Sequence, residues 1–205
     1  AIASYGFKGG AAITASHNPK QYNGVKVSRE EAMPVGLESG LGDIEKMVNA
    51  GNYKKAAKKG KVSTISVLDD LTKHVLKVVG DIRPLKVVID AGNGMAGLTL
   101  PPILAKLPIK TTRLFFELDG NFPNHEANPL KPENVLDLQK AVKETGADLG
   151  VAFDGDADRC AFVDERGGAV PCDLITAVIA KDILKREPGA IILYDCRSSR
   201  AVRED

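Results

Sequence analysis

Cysteine is scarce in this chain: three residues, Cys160, Cys172 and Cys196, stand among 205. Three irregularly spaced thiols build neither a disulfide framework nor a paired CxxC metal knuckle, and they fit a reducing cytoplasm. A large charge of one sign is also missing, since 28 basic residues meet 27 acidic ones and leave a formal +1. Without such a field there is no general attraction for nucleic acid or a membrane surface, so any ligand must be caught by a local site. No apolar run reaches the ~18 residues needed to cross a bilayer, and no basic segment followed by a long apolar one opens the chain. The chain starts at Ala1 rather than Met and stops in the charged Arg203-Glu204-Asp205. That reads as a piece of a longer protein.

What is present is an ordinary globular balance, 43% apolar and 27% charged, with a length that holds one large domain or two small ones. From Leu85 onward strand-like and helix-like stretches alternate. Lys86-Val87-Val88-Ile89-Asp90 is a β-branched run closed by Gly92-Asn93-Gly94, and Pro101-Pro102 can open a helix. Residues 111–116, 148–153, 160–163 and 190–194 read as strands, and 132–145 and 172–186 as helices. Such alternation predicts an α/β fold with a parallel sheet. The expected division is a first part over 1–66, a complete α/β domain over 67–166 and the opening of another over 167–205. Within 1–66, residues 41–50 are amphipathic. The lysine-rich run 54–61, next to Tyr53 but lacking interleaved aromatics, reads as a solvated linker rather than a nucleic-acid surface.

The strongest chemical signal is Asp154-Gly155-Asp156-Ala157-Asp158-Arg159, directly after the apolar stretch 149–153. It therefore falls at the carboxyl end of a predicted strand, where open α/β sheets bind ligands. Carboxylates at i, i+2 and i+4 repel one another unless a hard divalent cation holds them, and an oxygen-only set favours Mg²⁺, Mn²⁺ or Ca²⁺ over zinc. A solvated acidic turn is the plain alternative. A calcium EF-hand loop is another, because Asp154, Asp156, Asp158 and Glu165 fall at its positions one, three, five and twelve. Arg159 sits where that loop needs glycine, and the predicted flanks are strands.

The second signal is Thr14-Ala15-Ser16-His17-Asn18-Pro19, followed by Tyr22-Asn23-Gly24-Val25-Lys26. By composition it is a polar loop. A serine beside a histidine can form a nucleophile and base, but neighbours in sequence seldom point at each other.

Taken together, the two segments resemble, almost letter for letter, the phosphoserine loop and metal loop of the α-D-phosphohexomutases. Asn121-Phe122-Pro123-Asn124-His125 and Lys131-Pro132-Glu133-Asn134 resemble a stretch of the phosphomannomutase/phosphoglucomutase branch. The resemblance implies repeated α/β domains with mixed or parallel sheets sandwiched by helices, the phosphoserine loop in the first domain and the metal loop in the second. It implies an enzyme that interconverts the 1- and 6-phosphates of mannose, glucose or both, through phosphoserine and a bound 1,6-bisphosphate. Ser16 is then the phosphorylated residue. Asp154, Asp156 and Asp158 hold Mg²⁺ together with a phosphoryl oxygen on Ser16, His17, Lys26 and Arg159 attend the phosphate, and Arg197 faces the sugar phosphate. Expected partners are a hexose phosphate and glucose or mannose 1,6-bisphosphate, with no nucleic acid and no membrane. The family's early arginine, its third-domain sugar loop and its fourth domain have no counterpart here. A non-catalytic divalent-metal module is the rival from another class. A phosphatase of the haloacid-dehalogenase type is the rival within enzymes, although its nucleophilic aspartate follows the first strand of its domain.

Overall fold

A computed structural model describes residues 1–51, 54 and 56–204. Tyr53 and Lys55, at the start of the expected linker, and Asp205 lie outside the described residues. The chain divides into two compact units, one of Ala1–Ala15 with Gln21–Val78, the other of Ser16–Lys20 with Val79–Asp205.

The first unit contains the short helix α1 (Ile2–Tyr5), an antiparallel pair β1 (Gly9–Ile13) and β2 (Val25–Arg29), and the helices α2 (Gly42–Asn49) and α3 (Leu68–Val79). β1 runs through Gly-Gly-Ala-Ala, which lacks the β-branched side chains that announce a strand; its partner Val25-Lys26-Val27 supplies the alternation. Within this unit the Tyr5 hydroxyl donates to Asp70 on α3.

The second unit is built on a five-stranded sheet in the order β4-β3-β5-β6-β7: β3 (Leu85–Asp90), β4 (Ile109–Leu114), β5 (Leu149–Phe153), β6 (Cys160–Val163) and β7 (Ala169–Val170). β3 pairs parallel with both β4 and β5, whereas β6 and β7 add antiparallel. The parallel expectation thus holds for the strands joined through helices and gives way where two tight connections follow β5, since only a long crossover returns a chain parallel. The short helices α4 (Ala96–Thr99) and α5 (Pro101–Leu104) join β3 to β4. A 3₁₀ turn over Pro132–Val135 and then α6 (Leu136–Thr145) lie between β4 and β5.

Strand periodicity sorts the core. Val88, Ala152 and Val163 point to one face and pack with Leu138 and Val142 of α6. Val87, Ile89, Val151 and Phe153 point to the other and pack with Leu100 and Leu104. Helices therefore cover both faces. Since β4 and β5 flank β3 on opposite sides, the carboxyl ends of β3 and β5 form the switch point where such sheets take ligands.

The remaining elements are α7 (Cys172–Arg186), with the predicted bounds, and α8 (Ala201–Glu204). The predicted strand 190–194 is not in a sheet. A strand is completed by a neighbour, and among the described residues none pairs with it, leaving Ile191 87% and Leu193 90% exposed.

Leu138 is wholly buried beneath the sheet. Leu138→Ala is expected to cost about 2–5 kcal/mol of stability in urea unfolding. A loss under 1 kcal/mol would contradict its place in the core.

Candidate active site

Residues 154–159 bridge β5 and β6 at the switch point. The strand on either side removes the EF-hand reading, whose loop joins two helices. The Asp154 backbone N–H donates to the Arg159 carbonyl at 3.2 Å. Its Oδ1 accepts from the backbone N–H groups of Asp158 and Arg159, both at 3.1 Å. Asp154 thus ties the loop to itself, and its side chain is fully buried. Burial pushes its carboxyl above the usual range, as do the charges of Asp156 and Asp158, against the opposing pull of these hydrogen bonds.

One oxygen from each of Asp154, Asp156 and Asp158 lies within 4.8 Å of the others. That span is about twice a metal–oxygen distance of roughly 2.1–2.4 Å, so one hard cation can touch all three. The donor set consists of oxygens carrying several negative charges, which fits a divalent ion of the Mg²⁺ or Ca²⁺ kind.

The Ser16 segment belongs to the same unit. Ser16 Oγ donates to Asp154 Oδ2 at 3.1 Å across 138 residues of sequence. Its backbone is left-handed (φ 57°), as is that of Ala157 (φ 59°), a conformation that costs about 1–3 kcal/mol and persists only where the surroundings enforce it. The surroundings are backbone. A Cβ on Gly155 would meet the Ser16 carbonyl at 2.3 Å, and a Cβ on Gly94 would meet the Gly155 carbonyl at 2.7 Å. The Met95 N–H donates to that same Gly155 carbonyl at 2.9 Å. Three chain segments therefore approach so closely that only glycine fits at the two contacts.

His17 Nδ1 lies 3.4 Å from Ser16 Oγ, and Arg159 Nη1 lies 2.8 Å from the same Nδ1. A guanidinium can only donate, so Nδ1 accepts and the imidazole proton sits on Nε2. The expectation that neighbours in sequence diverge fails here because the left-handed turn at Ser16 folds the two side chains toward one side. Arg159 also approaches Asp158 at 3.8 Å.

Lys26 stands exposed on β2 in the first unit. Arg197 forms a two-pronged pair with Asp195, Nε to Oδ1 at 2.8 Å and Nη2 to Oδ2 at 2.9 Å, which holds the Asp195 carboxyl far below its ordinary range. His125, to which no chemistry is assigned from the sequence, anchors the neighbouring loop. Its Nδ1 lies 2.8 Å from the Glu126 carbonyl and its Nε2 3.0 Å from Oδ2 of Asp90, which is fully buried at the end of β3. Both partners are acceptors, so both ring nitrogens donate and the imidazole is cationic. The bond to Asp90 holds the His125 pKa above its ordinary value, against the opposing push of burial.

A group whose pKa is raised on folding stabilises most below its unfolded pKa, about 6.5 for histidine, and the gain fades as pH rises through the folded value. The stability gap between the parent chain and His125→Gln is therefore expected to be wider in urea melts at about pH 6 than at about pH 9. Equal gaps at both pH values would remove the charged pair.

No helix among the described residues is long and apolar enough to cross a membrane. A family model described as phosphoglucomutase/phosphomannomutase, α/β/α domain I, matches residues 1–55, and the corresponding domain II model matches residues 68–168. The chain is 41% identical over 201 residues to a phosphomannomutase of Salmonella montevideo, covering 94% of this chain and 44% of that protein. It is likewise 41% identical to a phosphomannomutase/phosphoglucomutase of Pseudomonas syringae, covering 94% of this chain and 41% of the relative. Among solved structures, a phosphoglucomutase/phosphomannomutase family protein from Burkholderia thailandensis superposes with a TM-score of 0.85 at 35% identity, over 95% of this chain and 42% of that one. The chain thus spans less than half the length of these relatives. The two family models that together match most of its length, and relatives at about 40% identity along nearly all of it, make this chain a member of the phosphoglucomutase/phosphomannomutase family.

Proposed function

We propose that this chain carries the phosphate-transferring and metal-holding loops of a hexose-phosphate mutase, and that the protein containing it interconverts the 1- and 6-phosphates of mannose, glucose or both. The observation that carries this reading is the Ser16 hydroxyl on Asp154, beside two further carboxylates whose oxygens gather within 4.8 Å. A nucleophilic hydroxyl against a cation-ready acidic cluster suits phosphoryl transfer, which depends on charge neutralisation and in-line positioning more than on covalent chemistry. The relatives named phosphomannomutase and phosphoglucomutase support the substrate class. Residues 1–66, 67–166 and 167–205 are assigned in this reading to the end of a first domain, a whole second and the start of a third, in a cytoplasmic enzyme.

In the proposed cycle phosphorylated Ser16 gives its phosphoryl group to the free hydroxyl of a hexose monophosphate, and the hydroxyl proton leaves to a nearby base. The resulting 1,6-bisphosphate turns over in the site, and its other phosphate returns to Ser16, restoring the phosphoserine. Asp154, Asp156 and Asp158 would hold Mg²⁺, with Ser16 contributing a phosphoryl oxygen. A bound divalent ion there supplies charge neutralisation for the transferring group. Arg159, held against His17, offers a fixed cation to the phosphoryl oxygens. His17 and Lys26 are assigned to charge stabilisation and proton transfer, and Arg197 to the sugar phosphate. Glucose or mannose 1,6-bisphosphate would recharge an emptied serine.

Ser16→Ala in the protein carrying this chain is expected to remove phosphate uptake from glucose 1,6-bisphosphate, read by intact mass, and to cut mutase turnover at least ~10²-fold with the fold retained by circular dichroism. Wild-type turnover in the alanine variant would end the phosphoserine assignment.

Asp156→Asn removes one anionic ligand at nearly constant volume and is expected to weaken Mg²⁺ binding about tenfold or more in titration calorimetry. Unchanged affinity would return the acidic loop to the plain structural reading.

A further inference from the structure

Cys160 and Cys172 have no part in the site described above, yet the sheet sets them against each other. β6 and β7 pair with Phe162 opposite Val170 and Val163 opposite Ala169. Continued by two residues, the same register places Cys160 opposite Cys172. Pro171, which intervenes, keeps an extended backbone (φ −57°, ψ 134°), so the ladder's spacing carries through to the first residue of α7. Side chains alternate faces along a strand, which puts Cys160 on the face of Phe162 and Cys172 on that of Val170. Opposed Cα atoms of antiparallel strands lie about 4.5–5.5 Å apart, inside the roughly 4.4–6.8 Å that a disulfide spans. Both are free thiols here, Cys160 partly covered and Cys172 exposed.

We propose that Cys160 and Cys172 are a reversible disulfide site, oxidised by exchange with a small-molecule disulfide such as oxidised glutathione. The exposed Cys172 attacks one sulfur of that reagent, releasing one equivalent of its thiol and leaving a mixed disulfide. Cys160 then attacks the Cys172 sulfur, the second equivalent of thiol departs, and the protein bond closes. Two electrons pass from the cysteine sulfurs to the reagent, and the two protons leave with its thiols. Oxidation of this kind in a reducing compartment is transient. The bond fastens the stem of the acidic loop to α7, because Cys160 directly follows Arg159, whose N–H and carbonyl close that loop on Asp154.

The test is incubation of the purified chain with oxidised glutathione, followed by alkylation, intact mass and peptide mapping without reduction. The expected product is lighter by two hydrogens, links the peptides of Cys160 and Cys172, and reverts with dithiothreitol. It should form equally in Cys196→Ser and not at all in Cys172→Ser, whose change lies at an exposed position. Glutathione adducts without an internal bond, a bridge that includes Cys196, or no oxidation of the parent chain would each overturn the proposal.

Discussion

Crowding of negative charge at one end of the sheet is the constraint from which much of the second unit follows. Asp154 is buried completely and carries two like-charged neighbours within four residues, an arrangement that water cannot relieve. The chain answers with hydrogen bonds from its own backbone and from Ser16, and with Arg159 at the far end of the loop. Each answer needs a particular chain path. The left-handed turns at Ser16 and Ala157 and the glycine contacts at 94 and 155 provide it. Strain, close backbone approach and buried charge therefore concentrate in the same few residues, as they do where geometry serves chemistry.

A second buried carboxylate, Asp90, lies one strand away and is met differently. It ends β3 as Asp154 follows β5, but its partners are a histidine and the Gly92 N–H at 2.8 Å, all protein groups. Its charge is neutralised internally by His125, whose loop is thereby fixed against the strand end. The two aspartates illustrate how position at the carboxyl edge of a sheet leaves the role of an acid open: one is closed off by a cation from the chain, the other stands among further acids with one oxygen of each within 4.8 Å of the others.

Much of the second unit was legible because burial on both faces writes itself into sequence as short β-branched runs. Residues 160–163 and 172–186 have the predicted bounds, and the strands at 109–114 and 149–153 are displaced by two residues or fewer. The antiparallel turn of β6 and β7 was hidden, because a strand's direction depends on connection length rather than on its own composition. The strand at 190–194 has the right residues and lacks a neighbour, so local propensity alone could not complete it. β1 escaped notice for the opposite reason, being paired while poor in strand formers. At the site, the acidic loop was visible from charge spacing. The approach of Ser16 to Asp154 was not, since no local pattern encodes a contact across 138 residues; only the resemblance to a family joined them. His125 was passed over because its significance lies in Asp90, 35 residues upstream.

The strand order also has a consequence in time. β3 occupies the centre of the parallel segment, and its bond to β5 joins residues 62 apart, as between Lys86 and Asp148. A chain emerging from the ribosome at about 5–20 residues per second can close β3 on β4 seconds before β5 exists. The acidic loop, directly downstream of β5, cannot take its shape until that last parallel strand has docked. During synthesis the carboxylates therefore gather only after the sheet that must bear their repulsion is in place.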